Sequence, residues 1–150
     1  MDTDIKPGDF RHRLPLQTRF NDTDMFGHIN NSVYLQFMDM GKYAYLRQFM
    51  KGDFAAGDTA AVVANINCNF YRPSFMDEKL SVLTTCTRIG DSSFTLLQCV
   101  VDSHDNVKCS ATTTMVNINR TTGQPVTVDS EWRRLIGEYE GRAFDLVNKG

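Results

Sequence analysis

The chain has 150 residues and a formal net charge of −2, with 41% hydrophobic and 23% charged residues. A chain of this length buries about 68–70% of its unfolded surface, so neither disulfides nor a metal are needed to hold a core. The composition excludes disordered and collagen-like classes, and without a basic excess or a Lys/Arg run no nucleic-acid or anionic-membrane surface is expected.

Residues 1–9 hold Pro7 and Gly8 among acidic and polar neighbours and are expected to be a loose lead-in. The stretch has no apolar h-region, so it is not a signal peptide. No segment reaches the 18 or more apolar residues of a membrane span, and cytoplasm is the expected location. From Arg11 to Phe20, Leu14, Leu16 and Phe20 alternate with polar positions, which predicts a first strand with Pro15 near its start. A loop follows from Asn21 to Gly27. Asn30, Asn31 and Ser32 are N-cap formers, and residues 33–50 then predict a helix. Val33, Phe37, Met40 and Ala44, with Tyr34, Met38 and Tyr45, recur at three- and four-residue steps. Gly41 within that run lets the helix sit close to a sheet. Gly52 and the segment DFAAGDT end it.

From Ala61 to Ile118 the chain is rich in Val, Thr, Ile and Phe. Four strands are predicted, at 61–72, 78–89, 93–102 and 107–118, broken at Pro73-Ser74, Gly90-Asp91 and 102–106. The last two connections are short, so the strands they join are expected to be antiparallel neighbours. Arg120 to Gln124 is a turn, and Ser130 is placed to cap a short terminal helix from Glu131. One long helix and a five-stranded antiparallel sheet make an α+β layout in a single domain. A lone helix covers only part of such a sheet, so oligomerisation, at least as a homodimer, is expected. The four cysteines, at 68, 86, 99 and 109, form no CxxC pair, and none lies within a few residues of a histidine. They fit reduced thiols in strands, and no metal site is expected.

The stretch from Arg19 to Tyr34 packs two carboxylates, a histidine, a glycine and two asparagines just ahead of a helix. A helix start offers unpaired backbone amides and partial positive charge, and amides aimed at a carbonyl oxygen make an oxyanion hole. A carboxylate on the preceding loop can serve beside it as base or nucleophile. On their own, Asp22 and Asp24 fit turn and capping duties equally well, and His28 fits a packed polar residue. A calcium loop is excluded, because Phe26 and Val33 stand where oxygen ligands belong. No GxSxG, GxGxxG or P-loop pattern is present.

The spacing D-x-D-x-x-G-H-I-N-N-x-x-Y from Asp22 to Tyr34 resembles the 4-hydroxybenzoyl-CoA thioesterase family of hotdog proteins, and is similar to plant acyl-ACP thioesterases, whose motif ends in HVNN. Further matches follow in order: N-F-Y-R-P-S-F-M-D at 69–77, I-G-D-S-S-F at 89–94 and T-G-Q-P at 122–125. The resemblance implies a hotdog fold, a helix wrapped by the sheet, in a homodimer or homotetramer. It implies hydrolysis of an acyl-CoA or acyl-ACP thioester, with CoA as part of the substrate and no separate cofactor. It places the catalytic carboxylate at Asp24, the carbonyl-polarising amide at Asn31 and a catalytic partner at His28. Phe26 stands where the acyl-ACP relatives have an asparagine. Arg88, Ser92 and Ser93 fall where relatives grip the pantetheine and nucleotide of CoA. Asp39 and Lys42 fall where relatives have Glu and Arg, and a structural salt link is expected of them. A non-catalytic module that binds acyl thioesters is the alternative. Phe26, Tyr34, Phe37, Phe70 and Phe94 fit either an acyl pocket or ordinary core, and core suits most of them.

Overall fold

The run rich in β-branched residues does form strands, and the amphipathic run before it forms a helix. In the computed structural model, which describes residues 3–50 and 57–144, the elements are β1 (His12–Pro15), α1 (Asn31–Arg47), β2 (Thr59–Phe70), β3 (Ser81–Ile89), β4 (Ser93–Val101), β5 (Val107–Asn119) and α2 (Ser130–Glu140). Short 3-10 turns lie at Pro7–Asp9 and Phe20–Asp22. The five strands make one antiparallel sheet in the order β1-β3-β4-β5-β2. As expected, β3, β4 and β5 are successive neighbours. The first strand is shorter than the alternation predicted, and Pro15 ends it opposite Ser81. Lacking an N–H, proline suits the last rung of an edge strand. Gly52 and most of the DFAAGDT segment fall outside the described residues.

Two compact units divide the chain: Met1–Tyr45 with Cys68–Thr85 and Gln98–Ala111, and Leu46–Asn67 with Cys86–Leu97 and Thr112–Gly150. In the first unit, α1 lays Val33, Tyr34, Phe37 and Met38 against Val82, Val100, Cys109 and Ala111 of three strands. The buried stripe continues through Gly41, Lys42 and Tyr45. Met40, expected on that stripe, is 51% exposed. At 100° per residue the stripe runs through 34, 37, 38, 41 and 45, and position 40 rotates out of it. Lys42 pairs with Asp39 at 3.1 Å, the expected salt link.

Because side chains alternate along a strand, Leu83, Cys99 and Val101 leave the helix face and form a second cluster with Val107. Ile5, Phe10 and Tyr71 pack against it, so the N-terminal segment has an apolar surface to settle on. All four cysteines are free thiols on strands, and Cys86, Cys99 and Cys109 are buried. Burial in apolar surroundings pushes the thiols of Cys86 and Cys99 up to about 12.

In the second unit the cap of α2 is Asp129, not the expected Ser130. Its carboxylate accepts from the Glu131 amide at 3.0 Å, and Ser130 is the first helical residue. Trp132 stacks edge-on to Phe94 at 4.8 Å. Arg133 donates to the carbonyls of Ile89 and Gly90, at 3.0 and 2.6 Å. The helix thereby holds the β3–β4 turn.

Gly41 shows why a helix residue of poor propensity sits mid-helix. A Cβ there would lie 2.9 Å from Gln98 Nε2 and from both Val82 methyls. With no Cβ in the way, the buried Gln98 amide reaches the helix and donates to the Met38 carbonyl at 2.9 Å and to Thr84 Oγ1 at 3.0 Å. Overpacking a filled contact typically costs about 1–3 kcal/mol, which outweighs the roughly 1 kcal/mol of helix propensity that replacing glycine returns. Gly41→Val is therefore expected to lower the urea midpoint. An unchanged midpoint would show that the helix is free to back away from the sheet.

Candidate active site

The connection from β1 to α1 has no long ladder, and turn bonds, isolated bridges and side-chain oxygens together satisfy its backbone. Asp22 is buried, 3% exposed. Its carboxylate accepts from the Arg19 amide at 2.8 Å and lies 3.5 Å from the Arg19 guanidinium. Its own carbonyl receives the Asn30 amide. Thr23 and Ile29 then pair as an antiparallel bridge, and residues 24–28 form the tip of this small hairpin. The Asp24 amide donates to the His28 carbonyl at 2.7 Å. Gly27 takes φ +78°, a left-handed conformation natural to glycine.

At that tip the Asp24 side chain faces solvent. Oδ1 accepts from the amides of Phe26 at 2.9 Å and His28 at 3.1 Å. Both bonds end on the same oxygen, so the carboxylate is oriented while Oδ2 has no hydrogen-bond partner among the described residues. The two acids, two positions apart, thus differ: Asp22 builds the loop and Asp24 is presented by it. An oriented carboxylate with one open oxygen can take a proton from water or attack a carbonyl carbon.

Asn30 caps α1. Its Oδ1 accepts from the Ser32 amide and hydroxyl, both at 3.1 Å. Asn31 is the first helical residue and is exposed, so its amide is among those a helix start leaves without an intrahelical partner. The contact from His28 to Asp24 runs through the histidine's backbone amide. The ring of His28 packs edge-on to Phe75 at 5.0 Å and lies 6.3 Å from the ring of Phe26.

A second segment backs this hairpin. His28 bridges Phe75, and Ile29 donates to the Ser74 carbonyl. The Tyr34 hydroxyl, buried in the first turns of α1, donates to Ser74 Oγ at 2.7 Å. Burial raises the Tyr34 pKa above its ordinary value, against the lowering effect of that hydrogen bond. Glu78 accepts from the Phe75 amide at 2.9 Å, and Lys108 joins Glu78 at 3.0 Å and the Pro73 carbonyl at 3.1 Å. Ser74, Glu78 and Lys108 were not singled out from sequence. The Pro73-Ser74 break was visible, but a turn signal does not say what the turn braces.

Of the predicted residues, Asp24, His28 and Asn31 come together in one hairpin and helix start. Arg88, Ser92 and Ser93 belong to the second unit. Arg88 is half-buried on β3, and Ser92 and Ser93 are half-buried at the β3–β4 turn. There the Ser93 carbonyl accepts from Gly90 and that of Ser92 from Asn117, both at 2.7 Å. Tyr34, Phe37 and Phe94 are buried, whereas Phe26 is 73% and Phe70 40% exposed. Among the described residues no three His, Cys, Asp or Glu side chains cluster as metal ligands would, and no helix is long and apolar enough to cross a membrane.

Known proteins resemble this chain along most of its length. Long-chain acyl-CoA thioesterase FadM of Escherichia coli K12 is 26% identical over 115 residues, 75% of this chain and 87% of the relative. A thioesterase from Thermus thermophilus, solved with coenzyme A and zinc, superposes with a TM-score of 0.79 at 25% identity, over 89% of this chain and 97% of that one. The PA5185 protein of Pseudomonas aeruginosa PAO1 superposes with a TM-score of 0.81 at 21% identity, over 94% and 97%. The fold is the hotdog fold. The sequence pattern of the thioesterase-like superfamily matches residues 18–136, and the chain belongs to that superfamily.

Proposed function

We propose that this thioester hydrolase acts on an acyl-CoA, with Asp24 as its catalytic carboxylate. The observation that carries the reading is Asp24 itself, exposed, oriented through one oxygen by two backbone amides and open at the other, just ahead of a helix start. Asp24 takes a proton from water as the water attacks the thioester carbonyl, or attacks the carbonyl carbon and forms an anhydride that water then opens. In both routes the C–S bond breaks: in the first the proton held by Asp24 passes to the departing thiolate, and in the second CoA leaves as a thiolate that water protonates, while the water that opens the anhydride regenerates the Asp24 carboxylate. The amide of Asn31 polarises the carbonyl oxygen, a contribution typical of an oxyanion-hole donor. His28 positions Asp24 through its amide, and its ring fills the space between Phe26 and Phe75. Arg88, Ser92 and Ser93 contact the pantetheine or nucleotide.

We also place the chain in a homodimer formed through β2. This edge strand has 12 residues with neither a charge nor a proline, the devices that normally protect an edge. Val62, Ile66 and Phe70 recur on one face of it and are each 40% exposed.

Thiol release from a panel of short, long, branched and aromatic acyl-CoAs tests the chemistry. Asp24→Asn is expected to lose about 10²–10⁴-fold in rate. It should keep the parent's urea midpoint, because the asparagine Oδ1 still accepts from Phe26 and His28. Asp22→Ala serves as the contrast, with an expected loss of about 1–3 kcal/mol of stability. Parental thiol release by a folded Asp24→Asn protein would remove Asp24 from the mechanism. Cleavage of acyl carrier protein esters with none of CoA esters would change the carrier.

Sedimentation tests the assembly. A Val62→Lys, Ile66→Lys double variant is expected to sediment as a monomer where the parent sediments as a dimer or larger. A variant that assembles like the parent would place the interface elsewhere.

A further inference from the structure

The second unit contains a cavity of about 520 Å³, and all its lining residues belong to that unit. It lies among the end of α1, the segment just after it, the start of β2, the end of β5 and the first turns of α2. Its walls are mostly apolar, with Thr59, Asn117, Arg120, Asp129 and Glu131 as the polar part of the lining. Leu46, Phe49, Phe94 and Met115 are themselves buried, and Trp132 and Leu135 close it from α2. Where β2 passes, the lining residues are the small Thr59, Ala60 and Ala61, which leaves the volume open.

Charged groups at the lining are already engaged within the protein. Asp129 caps α2, Glu131 pairs with Arg134 at 2.6 Å, and Arg120 Nε donates to the Thr59 carbonyl at 3.1 Å. The chemistry offered to an occupant is therefore mainly dispersion and removal from water. A packed interior tolerates few voids larger than a water molecule, whereas pockets of about 300–1,000 Å³ with apolar walls and a few polar groups are the size class of small-molecule sites. With a methylene taken as about the size of a water, roughly 30 Å³, there is room for about a dozen carbons or more.

We propose that this cavity binds the hydrocarbon tail of a medium- or long-chain acyl group. The choice of an acyl chain as occupant rests on the thioester-hydrolase reading. The tail belongs either to the thioester or to the free acid it yields, since both present the same apolar chain with a polar end.

Trp132 is the only tryptophan in the chain, so its emission reports directly on the cavity. Titration with 12-bromododecanoate, whose heavy atom quenches indole emission, is expected to give saturable quenching of Trp132. 4-Bromobutanoate should need at least tenfold higher concentration. Ala60 and Ala61 point to opposite faces of β2, so one of Ala60→Phe and Ala61→Phe places a phenyl ring in the open volume and should weaken 12-bromododecanoate at least tenfold while leaving the urea midpoint near the parent's. A parallel titration of the Asp24→Asn protein with 12-bromododecanoyl-CoA reads the thioester without hydrolysis. Quenching by that ester alone identifies the thioester as the source of the tail, and quenching by both forms identifies the chain itself as what is recognised. Absence of saturable quenching by either form overturns the proposal. So does quenching that is unchanged in both phenylalanine variants, or an emission change that follows protein concentration and not ligand, which would mean that a second copy covers the cavity. Because the reading is of binding, loss of the cavity would leave a measured hydrolysis of short or aromatic thioesters standing. Failure of the Asp24 chemistry would likewise leave the quenching intact.

Discussion

The candidate site depends on one constraint: between β1 and α1 the backbone leaves the sheet, and the amides that its turns and short bridges leave over must find side-chain acceptors. An unpaired buried polar group costs about 1–3 kcal/mol, so the connection is built around acceptors. Asp22 takes the Arg19 amide, Asp24 takes those of Phe26 and His28, and Asn30 takes that of Ser32. The orientation of Asp24 follows from this, because a carboxylate held by two amides of its own loop cannot rotate freely, whether or not a substrate is present. Preorganisation of the acid and closure of the loop are one set of hydrogen bonds.

A second constraint fixes where α1 begins relative to the strands in its unit. The helix lies close to Val82 of β3 and Gln98 of β4 where Gly41 carries no side chain, and Gln98 uses the gap to reach the Met38 carbonyl. A carbonyl in mid-helix normally needs no second donor. The extra bond ties the helix to β4 at a defined height, which the apolar contacts of Val33, Phe37 and Met38 would not do alone, since they are non-directional. Fixing the height of the helix also fixes where its first amides lie relative to the hairpin that carries Asp24.

Much of this was legible in the sequence because it is local. The period of apolar residues gave α1, the β-branched runs gave β2 to β5, and the mid-helix glycine already signalled a close approach. Asp24, His28 and Asn31 lie within eight residues of each other, so their proximity was assured once a loop and a helix start were recognised. What could not be read was non-local. Nothing in the composition of β2 says that it pairs with β5 and leaves the sheet edge open. Asp129 and Ser130 are both good cap formers in adjacent positions, and only the backbone angles choose between them. Asp22 and Asp24 differ by burial, which depends on where Arg19 and Asn30 come to lie. The brace at Ser74 joins residues forty positions apart in sequence through the Tyr34 hydroxyl, and no periodicity carries that information.

The brace also has an electrostatic logic. Lys108 is a buried cation, and removing a charge from water is costly unless partners replace the hydration shell. It has three: Glu78 at 3.0 Å, Asp102 at 3.8 Å and the Pro73 carbonyl at 3.1 Å. For Asp102 burial acts to raise the carboxyl pKa. That is outweighed by hydrogen bonds from the Asn106 side chain and amide and the His104 amide, together with the charge of Lys108, so the net direction is down. A carboxylate whose folded pKa is lowered stabilises the fold above the ordinary carboxylate range, and that contribution is lost as pH falls through the lowered value. The segment 73–78, which pairs with His28 and Ile29, is thus anchored to the β4–β5 turn by ionised groups. A hydrophobic anchor of similar size could have held it as tightly. It could not have supplied the directed bonds through which Glu78 fixes the Phe75 amide and Lys108 fixes the Pro73 carbonyl. The backbone of this segment is the surface against which the hairpin of Asp24 is laid.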